Sequence, residues 1–242
     1  MGKGRQITDI LIPLGNGSVW QNNELRYALR SIEQYGSGFD RLFIIGEKPN
    51  FLKNFIHIPY KEAYGPALNT LCKILHAFEK SDISDNVIFT YDDNYLIKPV
   101  NLSEYPNYWR RYLSDKPLRD GSYWAGLAHT KKILDGLNKP CKDFSVHCPI
   151  ILNRQKFLEM RPLWDRAIKE QQPIGVRALY CNYHNIEGVK LKDLKYTIAG
   201  DANTIEFYQK DRDVFSISDL SLLKGMDKYL EQRYPNKSRW EI

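Results

Sequence analysis

The chain has 242 residues, with 35 Lys and Arg against 29 Asp and Glu, a formal net charge of +6 and a pI of about 9.0. A hydrophobic content of 43% supports a real core and argues against a disordered chain. No run of about 18 apolar residues is present, and Met1-Gly2-Lys3-Gly4-Arg5 leads into no apolar stretch, so neither a membrane span nor a signal peptide is expected. The positive charge favours anionic partners such as nucleotide-sugars, nucleic acid or a membrane surface. Tyr, Phe and Trp number 16, 10 and 5. Such rings serve nucleotide and sugar sites as readily as cores. Cys72, Cys141, Cys148 and Cys181 form no CxxC pair. They read as reduced structural thiols of a cytoplasmic protein. Cys141, His147 and Cys148 have poor spacing for zinc.

Thr8 to Leu14 reads as the first strand, followed by a flexible loop, Gly15-Asn16-Gly17-Ser18. A helix then begins near Asn22 or Asn23, either of which can cap it. Leu25, Ala28, Leu29 and Ile32 form its packed stripe, with Arg26 and Arg30 on another face. Strand, glycine loop and helix is a common nucleotide-binding layout. The loop is neither a GxGxxG fingerprint nor a P-loop, so a dinucleotide or ATP site is not supported. Arg26 is a candidate diphosphate contact, or a solvated helix arginine. Asp40 to Pro49 reads as a second strand with its exit turn, and Phe55 to Tyr60 as a third. Pro66 opens a helix at its favoured first position. Leu68, Leu71, Cys72, Leu75 and Phe78 form the buried stripe of that helix, with Asn69, Lys73, His76 and Lys80 on its other side.

The next strand, Val87-Ile88-Phe89-Thr90-Tyr91, ends on Asp92 and Asp93. Two adjacent carboxylates repel each other, and a divalent cation, Mg²⁺ or Mn²⁺, would offset their charge. Such a cation can also hold a diphosphate. The bland alternative is a tight turn, which Asp and Asn favour. The order β-α-β-β-α-β predicts an α/β fold with a mostly parallel sheet flanked by helices. Ligands of such sheets sit at the C-terminal strand ends, so loop 15–22 and Asp92-Asp93 are expected at one edge.

Beyond Val100, aromatics interleave with arginines at Trp109, Arg110, Arg111 and Trp124. That mixture can stack bases and meet phosphates, or build a lid whose rings are core. Phe144 to Arg154 reads as a strand. Asp143 and His147, four apart, would share one side of an extended chain. They can supply a general base and its orienter, His147 can be a third metal ligand, or it can be a satisfied core histidine. Arg161 to Glu170 and Val176 to Tyr183 read as helices. Lys190 to Tyr196 is basic and alternating, and Asp211 to Ser221 reads as a turn and helix start capped by Ser218 or Asp219. No repeat or linker appears, so one domain is expected over 1–242, with a ligand-binding half (1–100) and a second half (101–242) ending in helices.

The stretch FTYDDNYLIKPV resembles the metal motif of GT-A glycosyltransferases. Its wording is similar to the Stealth family of capsular-polysaccharide sugar-phosphate transferases and to small GT-A-like bacteriophage enzymes. DILIPLGNGSVWQNNELRYALRSI, DRLFIIGEKP and DFSVHCPIILNRQKF resemble further blocks of those enzymes. The resemblance implies a GT-A, Rossmann-like fold. It makes Asn16, Arg26, Asn69, Lys73 and Asp92 candidates for nucleotide-sugar binding, and Asp93 the chief metal ligand, with His147 beside it. It implies a donor such as a UDP-sugar. Asp143 or His147 is expected to deprotonate the acceptor hydroxyl. Trp109, Arg110, Arg111 and Trp124 are expected on the acceptor side. The phage-like wording and the basic charge point to DNA carrying a hydroxymethylated base as acceptor. A surface polysaccharide is the alternative acceptor, and a non-enzymatic nucleic-acid-binding protein the alternative class.

Overall fold

A computed structural model describes residues 7–193, 195–196 and 212–242. The basic N-terminus read from the sequence, Leu194 and Asp211 lie outside the described residues. The chain runs β1 (Thr8–Leu14), α1 (Asn23–Tyr35), β2 (Gly36–Ser37), β3 (Leu42–Gly46), β4 (Ile56–Pro59), α2 (Pro66–Lys80) and β5 (Asn86–Phe89). It continues through β6 (Asn94–Leu96), β7 (Val100–Asn101), β8 (Tyr108–Trp109), α3 (Ser122–Gly136), β9 (Ile150–Asn153), α4 (Arg154–Glu159), α5 (Arg161–Lys169) and α6 (Val176–Tyr183). After β10 (Val189–Lys190), β11 (Lys195–Tyr196) and β12 (Val214–Ile217), it closes with the turn Asp219–Ser221 and α7 (Asp227–Arg233).

The main sheet has five strands in the order β4-β3-β1-β5-β9. The first four are parallel, and β9 runs antiparallel to β5, with Phe89 opposite Ile150. The expected α/β fold with a mostly parallel, helix-flanked sheet is observed. Both faces are buried, as parallel sheets require. Ile10, Ile12 and Leu14 of β1 pack with Leu25, Leu29 and Ile32 of α1 on one face. Leu11, Phe43 and Phe89 pack with Leu68, Leu71, Leu75 and Phe78 of α2 on the other, backed by Phe157, Trp164 and Tyr180. Each such side chain contributes about 1.5–3 kcal/mol on burial. Among the described residues no helix is long and apolar enough to cross a membrane.

Three expectations are corrected locally. The strand read over Phe144 to Arg154 shrinks to Ile150–Asn153. The Asp143 carboxylate accepts the Ser145 amide at 3.0 Å, which turns the chain, and Pro149 has no N–H to give a ladder. Asn22 sits at the α1 N-cap, but in a left-handed conformation and with no side-chain cap bond. Ser18 serves instead: its hydroxyl accepts the Trp20 and Asn22 amides at 3.0 and 2.9 Å and donates to Glu24 at 2.8 Å. Lys73 and Asn69, read on the open side of α2, are 3% and 4% exposed. Lys73 crosses to donate to the Leu14 carbonyl at 2.7 Å, a path open because Gly46 has no Cβ.

A smaller sheet, β11-β12-β6, folds the end of the chain back onto the tip of β5. β12 is antiparallel to β6, with Ser216 opposite Asn94. Tyr95, Phe215, Tyr229, Leu230 and Tyr234 bury its face against Tyr27 and Ala28 of α1.

Candidate active site

Asp92 and Asp93 lie just beyond the C-terminal end of β5, between it and β6. The Asn94 amide donates to the Tyr91 carbonyl at 3.3 Å, so a tight turn presents the two carboxylates. The turn and the acidic pair are thus one feature. The small sheet brings two partners to Asp93: its Oδ2 accepts from the Lys195 ammonium at 3.0 Å and from the Ser216 hydroxyl at 2.8 Å. Its Oδ1 accepts from the Asn94 amide group at 3.1 Å. Among the described residues no side chain bonds or pairs with the Asp92 carboxyl, which meets only its own backbone amide. Burial, then the charges of Asp93 and Glu24, hold its carboxyl well above the usual carboxylate range. Glu24 is itself buried, and desolvation raises it too.

These carboxylates stand between two lobes of a cleft at the C-terminal sheet edge. One lobe, of about 350 Å³, is lined by Gly15, Gly17, Ser18, Glu24 and Asp219. The other, of about 290 Å³, is lined by the first turns of α2, α3 and α6 with Ser145, His147 and Arg177. Asp92, Asp93 and Lys195 line both. Loop 15–22 and the aspartate pair therefore share one edge, as topology requires.

His147 lines the second lobe. Its partner is Asp193, which approaches Nδ1 at 2.7 Å and accepts the His147 amide at 2.9 Å. Burial opposes ionisation of Asp193, but hydrogen bonds and charge from His147, with charge from Arg110, hold its carboxyl below the usual range. An ionised carboxylate only accepts, so Nδ1 carries a proton and Nε2 is the ring nitrogen left to accept one. Asp143 makes no hydrogen bond to His147. It is fully buried and accepts from Arg110 Nε at 2.9 Å and Arg111 Nε at 3.2 Å. Arg110 also donates to Asp193 at 2.9 Å, linking the two acids.

Other residues singled out by sequence lie elsewhere. Asn16 is exposed in its loop, and its neighbours Gly15 and Gly17 line the lobe instead. Arg26 turns away to Glu241 at 2.7 Å and covers Phe51. Asn69 clamps the Ala63 and Tyr64 amides. Lys73, besides the Leu14 carbonyl, pairs with Glu62. Trp109 donates to the Gly188 carbonyl at 3.0 Å and is covered by Lys142 and Lys190. Trp124 is covered by Arg111 and Arg119 and faces away from the main cleft, where Tyr123 stands. No group of three His, Cys, Asp or Glu among the described residues is placed to hold a metal, so His147 joins neither the aspartate pair nor the cysteines. All four cysteines are free. Sequence reading missed Ser18, Glu24, Arg177, Asp193, Lys195 and Ser216. Asp193 and Lys195 stood in a stretch noted only for its alternating charge.

No protein-family model and no curated protein matches the chain, so the likeness to Stealth and phage enzymes stays one of motif wording. Among solved structures, 87% of the chain aligns with 97% of mouse xyloside xylosyltransferase 1 (apo form) at 10% identity and a TM-score of 0.43. A glycosyltransferase involved in glycosylation of the major capsid of PBCV-1 aligns over 93% of this chain and 99% of its own, at 11% identity and a TM-score of 0.45.

Proposed function

We propose that this cleft transfers a sugar from a nucleoside-diphosphate donor to an acceptor hydroxyl. The observation that carries this reading is one cleft, at the carboxyl edge of a parallel sheet, lined by an adjacent aspartate pair, a lysine and a carboxylate-held histidine. His147 Nε2 takes the acceptor proton as the new C–O bond forms at the anomeric carbon and the bond to the diphosphate breaks. Asp193 steadies the resulting imidazolium. The ammonium of Lys195 meets charge developing on the departing diphosphate.

Mg²⁺ and Mn²⁺ commonly bind through one or two carboxylates together with substrate phosphates. Asp92, which no side chain pairs among the described residues, and the adjacent Asp93 fit that minimal set, although they form no closed cage. Such a cation would add neutralisation of the leaving group. Arg26, Asn69 and Lys73 do not join the donor site in this reading, because each is engaged elsewhere in the fold. Hydroxymethylated DNA as acceptor finds no support in the arginine-aromatic tract. Arg110 is held by Asp143 and Asp193, and Arg111 gives its Nε to Asp143.

Calorimetric titration with nucleoside diphosphates tests the reading. One member of a UDP, GDP, CDP and ADP panel should bind the wild type, at least tenfold more tightly with Mg²⁺ or Mn²⁺ than with chelator. Asp92→Asn should remove the metal effect. Absence of binding by every nucleotide, with or without metal, would defeat the proposal.

A further inference from the structure

Arg177 is 6% exposed, and its Nε has no hydrogen-bond partner. Among the described residues its one hydrogen-bond contact is from a terminal guanidinium nitrogen to the Cys148 sulfur at 3.8 Å, a weak acceptor. No carboxylate among the described residues pairs with it. An unpaired buried cation is costly and is seldom retained for stability alone. The same side chain lines the second lobe of the cleft.

That lobe is also where α2, α3 and α6 begin. Pro66 and Ala67, Ser122 and Tyr123, and Gly175 and Val176 all line it. Each of these helices has a glycine at its N-cap, no side-chain cap bond and no acidic residue in its first turn. The first N–H groups of a helix lack intrahelical partners and carry partial positive charge. They converge here uncapped, in α2 behind Pro66, around a guanidinium that no acid pairs among the described residues. Electrostatically the cleft is therefore divided. The lobe beside α1 holds Glu24 and Asp219, whereas this one holds Arg177 and helix N-termini, with Asp92, Asp93 and Lys195 at the border.

We infer that Arg177, with the helix N-termini around it, forms a seat for an oxyanion, a phosphate or carboxylate group, in the lobe beside His147. The ligand supplies the acceptors that Arg177 lacks. For the identity of that ligand, the inference rests on the sugar-transfer reading. The group is the donor's diphosphate or an acidic substituent of the acceptor.

The probes are inorganic phosphate, pyrophosphate and UDP. They are titrated by calorimetry and followed by melting temperature, for wild type, Arg177→Gln and Arg177→Lys. Pyrophosphate or phosphate should bind the wild type and raise its melting temperature. Arg177→Gln should weaken that binding at least tenfold, and Arg177→Lys should restore part of it. Without ligand, Arg177→Gln should melt no lower than wild type, because it removes an unpaired buried charge. If pyrophosphate competes with UDP, the seat belongs to the donor diphosphate. If phosphate binds alongside saturating UDP, it belongs to the acceptor. Equal binding of every oxyanion by wild type and Arg177→Gln would overturn the seat, as would no binding by either. An Arg177→Gln variant that unfolds would overturn it too, since Arg177 would then be structural. A wild type that binds pyrophosphate through Arg177 but turns over no nucleotide-sugar would leave the seat standing and defeat sugar transfer alone.

Discussion

A buried carboxylate near the end of the chain helps lock it to the first helix, and removing its charge has a calculable effect. Glu241 has a fully buried side chain. It accepts from Arg26 at 2.7 Å, twice from Arg30 at 2.8 Å, and from the Ser238 amide at 2.9 Å. Glu241→Gln keeps the shape but leaves two guanidinium groups facing an amide. Breaking a buried pair costs about 3–5 kcal/mol, and the low end applies because Arg26 retains 23% exposure. For a chain of this size each kcal/mol moves the melting temperature by about 2–4 °C, so a fall of roughly 6–12 °C at pH 7 is expected. Burial disfavours the Glu241 charge. Even so, the bonds from Arg30, Ser238 and Arg26 lower its carboxyl from 4.5 to about 2 in the fold. A lowered folded value means the stabilisation is complete above the ordinary value and lost as pH falls from about 4.5 towards 2. The gap between wild type and variant should therefore close over that window when melting is followed by circular dichroism. A variant melting within about 2 °C of wild type at pH 7, or a gap unchanged at pH 3, would refute the reasoning.

Asp193→Asn should lower kcat by about 10²–10⁴ with little change in donor KM, because the imidazole loses its orienting charge. His147→Gln should do the same, and the double variant should be no worse than the poorer single one in steady-state assays. Lys195→Gln should weaken nucleoside diphosphate binding about tenfold in a calorimetric titration, the loss of one charge-assisted contact. Gly46 has a φ of +112°, and a Cβ there would sit 2.1 Å from the Leu14 carbonyl and 3.0 Å from the Lys73 ammonium. Gly46→Ala should cost about 2 kcal/mol or more in denaturant unfolding.

Much of the fold was legible because its signals are local. The apolar runs of β1, β3 and β5 and the helical stripes of α1 and α2 are set by side-chain period. The sheet edge that gathers loop 15–22 and Asp92-Asp93 follows from connectivity alone. The site was less legible, for a physical reason. Lys195 and Ser216 reach Asp93 only because β12 returns from more than a hundred residues away to pair with β6. Asp193 displaces Asp143 as partner of His147 through another long-range contact, while Asp143 is drawn inward by Arg110 and Arg111. Sequence spacing cannot distinguish two acids near one histidine. Helix period placed Lys73 outside, yet its long stem carries the ammonium inward to the Leu14 carbonyl. Nothing in the pattern around Arg177 sets it apart from a solvated helix arginine. Its role depends on what the pocket withholds from it.

The most direct measurement of the central claim is release of nucleoside diphosphate from a panel of nucleotide-sugars. It would compare wild type with Asp92→Asn and Asp93→Asn, with Mg²⁺, Mn²⁺ or chelator, and with hydroxyl acceptors present or absent. Turnover of at least one donor that collapses in both variants, while their melting temperatures stay near that of wild type, is the predicted result. A wild type that cleaves no donor under any of these conditions, or variants that cleave one as fast as wild type does, would contradict it.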